Sequence, residues 1–352
     1  MFGFYLALPF LLFALYRSFI VVYSYFTRPF LPNGNPAGNP LVSILIDVNN
    51  SESGVEPLLR SLSNQSYQNI EILINVDLEN SSARALVGDY CTKDNRAKLI
   101  ECPEITDNWV KKNFIYDLLS QKSMGQYIVF IDSDVILEKE VVANALSYMQ
   151  LKGLSLLTVF PKQVADNQWS MMINSIQMWM LLSMCPLKRI VRSKKVSLSS
   201  TSSQFMMFES ASYRNFRWHE KYKGFKDIDL GIGRIIKNAK LNIATLISQG
   251  DVCVNSPSSA LGEAESFIFN FFGRNRNRLL AYTFALLFGP LFVIFLLPFP
   301  LVFLYLFSII FARMLHALIN GKSPIIALLT LPIHSFVFIY LVVRLVKTKS
   351  GK

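Results

Sequence analysis

The sequence predicts an α/β fold, a mainly parallel sheet flanked by helices, with transmembrane helices at both ends of the chain. Three observations carry this expectation. Short, near-continuous apolar runs alternate with helix-length polar segments through the centre; such runs suit strands buried on both faces, and strands separated by helices suit a parallel sheet. Long apolar blocks occupy both termini. Acidic residues fall at the ends of the central apolar runs, where open α/β sheets bind their ligands.

Residues 1–26 form the first element. Gly3 to Phe26 is an apolar run broken by Arg17, and a span needs about 20 apolar residues. No basic stretch precedes it and no small-residue cleavage site follows, so it reads as a retained anchor rather than a signal peptide. Residues 27–40, with "PFLPNGNPAGNP", read as a Pro/Gly/Asn linker. A globular domain is expected over 41–265. Its strands are "LVSILIDV" (41–48), "IEILINVD" (70–77), "QYIVFIDSD" (126–134) and "LSLLTVF" (154–160). Between the first two, Leu58, Leu59 and Leu62 stand at helical spacing.

Segment 167–193 carries Trp169, Met172, Ile176, Trp179 and Leu182, then a basic exit. It reads either as a core helix with methionine filling gaps or, preferred, as an interfacial helix lying on the bilayer. Residues 266–278 are a basic boundary segment, 279–346 hold the C-terminal transmembrane helices, and 347–352 are a basic tail. The block Leu279 to Phe311 is long for one perpendicular helix and short for two; Pro290, Pro298 and Pro300 kink it or mark a hairpin. Positive residues favour the cytoplasm. Placing Arg274, Arg276 and Arg278 there together with Arg344, Lys347, Lys349 and Lys352 requires an even number of C-terminal spans. Two spans are expected, with the globular domain cytoplasmic and Arg313 and Lys322 on the far side.

The chain is 52% hydrophobic, with the excess at its ends, which favours a membrane protein. Its net charge of +11 would admit nucleic acid as a partner. The basic residues, however, sit beside apolar segments, as at Lys188, Arg189, Arg192, Lys194 and Lys195. That pattern suits anionic lipid headgroups, and no basic-aromatic platform stands elsewhere, so no nucleic-acid partner is expected. Cys91, Cys102, Cys185 and Cys253 show no CxxC spacing and no metal pattern with the three histidines. Reduced thiols are the expectation.

Chemistry concentrates at Asp47, Asp77, Asp132 and Asp134, all at or near the ends of predicted strands. Gathered without counter-charge, they would raise one another's pKa; a divalent cation would resolve the conflict. In an extended chain residues i and i+2 share a side, so Asp132 and Asp134 can address one ligand. Carboxylate oxygens suit Mg²⁺ or Mn²⁺, which commonly join one or two carboxylates to substrate phosphates. A diphosphate-bearing substrate is therefore the natural partner. The competing use of Asp-Ser-Asp is to cap the following helix, "EKEVVANALSYM".

With these stretches in view, the chain resembles the family 2 glycosyltransferases of GT-A fold over roughly Leu41 to Arg278. "VSILIDVNNS" is similar to the family's opening strand and loop, with Asp47 where proline is usual and Ser51 where glutamate is usual. In "QSYQNIEILINVD", Asp77 matches the acid that contacts the nucleotide base, while Val76 replaces a frequent second acid. "NWVKKN" (108–113) resembles the W-x-G-K stretch of lipid-modifying members, with Lys112 at the lysine and Lys111 in place of glycine. Asp132-Ser133-Asp134 matches the DxD motif. "SSQFMMFESASYRNF" is similar to the strand and helix start behind the acceptor site. "GFKDIDLGIGRIIKNAK" resembles the E-D-x-x-L-x-x-R segment, placing Asp227 at the catalytic base and Lys226 at the usual glutamate. Read from its residues alone, Asp227 or Asp229 could equally cap the helix whose apolar face carries Leu230, Ile232, Ile235 and Ile236.

Where processive polysaccharide synthases carry Q-x-x-R-W, this chain has "GRNRNRLL", matching at best Asn275, Arg278 and Leu279. Arg274 and Arg278 can meet diphosphate oxygens as charge-assisted donors or mark the membrane boundary. The resemblance implies a membrane enzyme moving a sugar from a nucleotide-diphosphate-sugar, foremost a UDP-sugar, to a lipid acceptor with inversion and with Mn²⁺ or Mg²⁺. Asn49, Asp77, Lys112, Asp132 and Asp134 would hold the donor, Asp132 and Asp134 the metal, and Asp227 would be the base. It implies a multi-pass protein of a bacterial cell membrane. Two alternatives stand beside it: a polysaccharide or lipid-linked oligosaccharide transferase using the same site, and a membrane scaffold with an inactive transferase domain.

Overall fold

The computed structural model describes residues 2–48, 52–103, 105, 108–164, 168–196, 198–225, 228–255, 260–273 and 275–349. They fall into two compact units. One comprises Pro29–Val164 and Ile190–Pro257; the other comprises Met1–Arg28, Ala165–Arg189 and Ser258–Lys352.

In chain order, the first elements are α1 (Phe2–Thr27), β1 (Val42–Val48), α2 (Glu52–Ser63), β2 (Ile70–Val76), α3 (Ser81–Lys93), β3 (Ala97–Leu99) and α4 (Lys111–Lys122). Then come β4 (Tyr127–Asp132), β5 (Val135–Leu137), α5 (Val141–Lys152), β6 (Leu156–Phe160), β7 (Lys162–Val164), α6 (Gln168–Met184) and α7 (Leu187–Ile190). β8 (Phe205–Glu209), α8 (Ser210–Phe216), α9 (Trp218–Lys221), α10 (Ile228–Asn238), β9 (Ile243–Ile247) and β10 (Val252–Asn255) complete the first unit. The chain ends with α11 (Ala260–Phe271), α12 (Arg276–Leu296), α13 (Phe299–Ile319), α14 (Pro324–Leu329) and α15 (Leu331–Lys349).

The sheet unit is built on a seven-stranded sheet of order β3-β2-β1-β4-β8-β6-β9. β1 runs parallel to β2 and β4, and β9 parallel to β6; only β8 is antiparallel to its neighbours β4 and β6. Every residue of β1 and β2 is buried, as continuous apolar strands covered on both faces must be. Alternation along the strands splits the core. Ile44, Ile46, Ile72, Ile74, Val129 and Ile131 join Leu58 and Leu62 of α2 and Val87 of α3 in one cluster. On the other face the Phe130 ring meets Tyr116, Phe208, Tyr213 and His219, with centroids 5.0 to 5.6 Å apart. Buried His219 bonds the Tyr213 hydroxyl through Nδ1 at 2.6 Å.

A second, three-stranded sheet of order β5-β10-β7 stands beside it in the same unit. The Pro/Gly/Asn segment expected as a linker is tied along α5. Gly34 N donates to Asn144 Oδ1 at 2.9 Å, Ala37 N to Gln150 Oε1 at 2.7 Å, and Gln150 Nε2 back to Ala37 O at 3.0 Å. The turn into β4 is equally tight: Gly125 N donates to Ser43 Oγ at 2.8 Å, and a Cβ at 125 would lie 2.7 Å from Ser43 N. Lys237 of α10, 4% exposed, donates to the carbonyls of Ile190, Ser193 and Leu198 at 2.9, 2.8 and 2.6 Å. One ammonium with three donors thus fastens the 190–198 stretch to that helix.

Among the described residues, three helices of the helical unit are long and apolar enough to cross a bilayer, α1, α12 and α13. The block expected over 279–311 is split at Pro298, the residue capping α13, with Pro300 in its first turn. Proline lacks an N–H and disfavours helix at the residue before it, so α12 stops there and the chain reverses. Pro290 lies inside α12 without ending it. The reversal corrects one expectation. Arg313 shares a cavity lining with Tyr282, in the second turn of α12, rather than lying at the far end from Arg276 and Arg278. Segment 165–189, expected inside the 41–265 domain, clusters with this unit instead. Its helix α6 buries Ile173, Ile176, Met180, Leu181 and Leu182 and packs on α1, α11 and α15. All four cysteines are free.

Gly125→Ala should destabilise the sheet unit by about 1–3 kcal/mol, because the added methyl cannot fit without moving backbone. Thermal unfolding followed by circular dichroism measures this as a lower midpoint. An unchanged midpoint would contradict the close approach to Ser43.

Candidate active site

Three parallel strands deliver their last residues to one edge of the sheet. In the register of β2, β1 and β4, Asp47 stands opposite Asn75 on one side and Asp132 on the other, and Asp77 follows β2 directly. The acids are not equivalent. Asp47 is 4% exposed and accepts from Asn75 Nδ2 at 3.0 Å, so it serves the strand ends. The side chains of Asp77 and Asp132 stay 21% and 26% exposed, open to a ligand.

The first turn of α4 meets both. Lys111 pairs with Asp77, and Lys112 Nζ donates to Asp132 Oδ1 at 2.9 Å. Tyr116, one turn on and fully buried, donates its hydroxyl to the same oxygen at 3.2 Å. Asn113, 2% exposed, donates to the carbonyls of Phe225, Lys223 and Tyr222 at 3.0, 3.2 and 3.3 Å. Val110 N adds a bond of 2.8 Å to Lys223 O. One helix start therefore holds two acids of the sheet edge and the chain that leads toward Asp227.

Helix α4 begins without a side-chain cap and with two cations in its first turn. Cations near a helix N-terminus oppose its dipole by about 0.3–1 kcal/mol each. Asp77 and Asp132 compensate, because each lysine finds a carboxylate beyond the helix. The hydrogen bond from Lys111 holds the Asp77 carboxyl below its usual range, against the upward push of burial, and the Lys111 ammonium is raised in turn. On the sequence alone these acids ask for a counter-charge, expected from a divalent cation. In the fold Lys111 and Lys112 supply counter-charge to Asp77 and Asp132. Burial chiefly, then the Asp47 and Asp77 carboxylates, push the Cys102 thiol up.

The Asp132-Ser133-Asp134 motif has its own geometry. β4 ends at Asp132, the chain turns at Ser133 and Asp134, and β5 leaves for the smaller sheet. Strand alternation therefore does not relate Asp132 to Asp134 as expected; the turn redirects the second acid. Gly54 of α2 packs against that turn: a Cβ there would lie 2.8 Å from Asp134 Cα and 3.0 Å from Ser133 O. Capping is excluded as the motif's use, since α5 starts after Glu140 and receives no side-chain cap.

Asp77, Lys112 and Asp132 are thus brought together around α4, with Asp134 on the turn that follows. Asn49, Asp227 and Arg274 lie outside the described residues. Arg278 is exposed in the first turn of α12, in the helical unit, and makes no ion pair among the described residues. In the sequence Lys111 reads only as a replacement for glycine, without its partner Asp77, and Asn113, Tyr116 and Gly54 are not singled out. The signal for the Lys111 pairing is the Lys-Lys pair opening a helix, a disfavoured placement that asks for acids nearby.

Among the described residues, no three His, Cys, Asp or Glu side chains form a ready cation cage. The carboxylate oxygens of Asp132 and Asp134 are hard donors of the kind that Mg²⁺ or Mn²⁺ takes.

Residues 43–216 match the sequence profile described as "Glycosyl transferase family 2". The chain is 31% identical over 110 residues to an uncharacterized glycosyltransferase of Haemophilus influenzae, a match covering 31% of this chain and 42% of that protein. It is 34% identical over 101 residues to EpsH of Bacillus subtilis strain 168, 29% of this chain and 28% of that one. The matches thus span less than half the length of these relatives. Among solved structures it resembles the mannosyltransferase PcManGT from Pyrobaculum calidifontis in complex with GDP-Man and Mn²⁺. The TM-score is 0.56 at 13% identity, over 98% of this chain and 96% of that one. At that identity the likeness shows the fold.

Because the folded Asp77 pKa is depressed, the Lys111 pair stabilises the fold above the unfolded carboxylate pKa and ceases to as pH falls through the folded one. Lys111→Met should therefore begin acid unfolding at a higher pH than wild type, with the two curves converging at the acid extreme. Coincident acid-unfolding curves by fluorescence would contradict the pairing.

Proposed function

We propose, from the premise that residues 43–216 form a glycosyl transferase family 2 domain of GT-A fold, that this chain moves a sugar from a nucleotide-diphosphate donor to a lipid hydroxyl. The observation that carries the reading is the first turn of α4. Lys111 and Lys112 sit at a positive helix end, each resting on a carboxylate of the sheet edge. Helix N-termini bind phosphate groups, and a diphosphate gives both ammonium groups stronger partners than they have alone.

The donor's base would lie against Asp77 and the loop at Asn49, as the family resemblance suggests, and a UDP-sugar is the first donor to test. Mn²⁺ or Mg²⁺, held by Asp132 and Asp134 with the diphosphate, would neutralise charge on the leaving group. Tyr116 and Lys112 fix the orientation of the Asp132 carboxylate from behind. Asn113 holds the chain at Tyr222 to Phe225, two residues before Asp227. Asp227 would take the proton of the acceptor hydroxyl as it attacks the sugar carbon, giving inversion by direct displacement. Arg274 and Arg278 remain further candidates for the diphosphate.

A lipid acceptor suits a chain with α1, α12 and α13 long and apolar enough to span a bilayer. We place the protein in a bacterial cell membrane as a multi-pass chain, with its sheet unit in the cytoplasm; the two relatives named above are bacterial proteins.

Membranes containing the protein should release nucleoside diphosphate from a UDP-sugar in the presence of extracted lipid and Mn²⁺. Chelation should stop the release, and returned Mn²⁺ or Mg²⁺ should restore it. Asp132→Ala, Asp134→Ala and Asp227→Ala should each lower turnover by about a hundredfold or more while retaining wild-type circular dichroism. Near-normal transfer by all three would refute the site. Transfer to soluble oligosaccharide but not lipid would refute the acceptor class.

A further inference from the structure

The helical unit holds a cavity of about 180 Å³ whose lining includes Arg17, Trp179, Tyr282, Arg313 and His334. None of these residues belongs to the site assigned to sugar transfer. Arg17 of α1 is 7% exposed and Arg313 of α13 is 2% exposed. Both guanidinium groups face the Trp179 indole, 4.9 and 5.3 Å from its centroid, and Arg17 also lies 5.3 Å from the Tyr282 ring. Arg17 donates through Nε and Nη2 to Ser183 Oγ at 3.3 and 3.0 Å, and Arg313 Nε to Ala327 O at 3.3 Å. Each keeps further N–H groups.

Neither arginine has a carboxylate partner among the described residues. Glu265, in the same unit, is engaged by Arg344 at 2.7 Å. Two buried cations on helices apolar enough for a bilayer are costly without counter-charge. Contact with an aromatic face offsets only part of that cost.

A second observation is independent of charge. The Tyr282 hydroxyl is buried, 5% exposed as a residue, and has no hydrogen-bond partner. His334 Nε2 is likewise unpartnered, while its Nδ1 bonds Thr330 O at 2.7 Å. A carbonyl can only accept, so Nδ1 carries the proton and Nε2 presents a lone pair. Around one cavity stand two guanidinium donors, one phenol donor and one imidazole acceptor. Phe13, Leu286, Ile309 and Phe338 add apolar wall.

We propose that this cavity binds the phosphate of an amphiphile, a phosphate monoester carried on an apolar chain. The anionic oxygens take the Arg17, Arg313 and Tyr282 donors, the remaining P–OH donates to His334 Nε2, and the apolar chain follows the aromatic and aliphatic wall. The binding concerns the helical unit alone and is read without turnover, so it stands or falls apart from the transferase reading.

The test uses the full chain in nonionic detergent, with dodecyl phosphate as probe and dodecanol and inorganic phosphate as comparators. Dodecyl phosphate near a hundredfold of its Kd should raise Tm by roughly 5 °C, and dodecanol should not. Arg313→Gln should weaken dodecyl phosphate binding by about tenfold or more, and without ligand should unfold no earlier than wild type. Tyr282→Phe, which removes only the unpartnered hydroxyl, should also weaken binding and serves if the arginine variant fails to fold. Equal stabilisation by dodecanol, or wild-type affinity in both variants, would overturn the proposal. Equal stabilisation by inorganic phosphate would overturn the assignment to a lipid.

Discussion

Two ammonium groups at the start of α4 organise the sheet edge. A helix dipole disfavours lysine in its first turn, yet Lys111 and Lys112 are both there, and each reaches across to a carboxylate at the end of a parallel strand. The arrangement holds because the β2-β1-β4 register puts Asp77 and Asp132 on either side of β1, within reach of adjacent residues of one helix. Asn113 extends the same helix start to the 222–225 chain. Three distant parts of the sequence are thus tied to three consecutive residues. On the proposed function, an incoming diphosphate would compete for cations that are already gathered and oriented.

Much of this edge was legible in the sequence. Apolar runs without alternation announced β1, β2, β4 and β6, and the acids closing three of them announced a ligand edge. The DxD motif and Lys112 were readable as pattern. Partnership was harder to read. Asp47 looks like Asp77 in the sequence, and only burial and its bond from Asn75 set it apart as a strand-end residue. Lys111 read as a departure from a family glycine, whereas its position opposite Asp77 depends on strand register. The turn at Ser133 and Asp134 was hidden because β5 is three residues long and pairs with β10, more than a hundred residues away. Antiparallel β8, inserted between β4 and β6, is likewise a long-range fact that local apolar pattern does not encode.

The helical unit shows the same division. Its apolar helices follow from composition, and the break at Pro298 follows from proline chemistry. The reversal there brings Arg313 to the cavity that Arg17 also lines. In the sequence these are two isolated charges interrupting hydrophobic runs, nearly three hundred residues apart. In the fold both pack on Trp179. The tryptophan, read in sequence as a sign of a helix at the bilayer surface, acts within this unit as a platform for two cations.

Lys112 donates to Asp132 in the fold, and we propose that it turns to the diphosphate when donor arrives. Equilibrium binding of uridine diphosphate and of uridine, each with Mn²⁺, to wild type and to Lys112→Met measures that claim by calorimetry. The account predicts that the variant loses about tenfold or more in affinity for the diphosphate and keeps its affinity for the nucleoside. Undiminished diphosphate binding by the variant would contradict it.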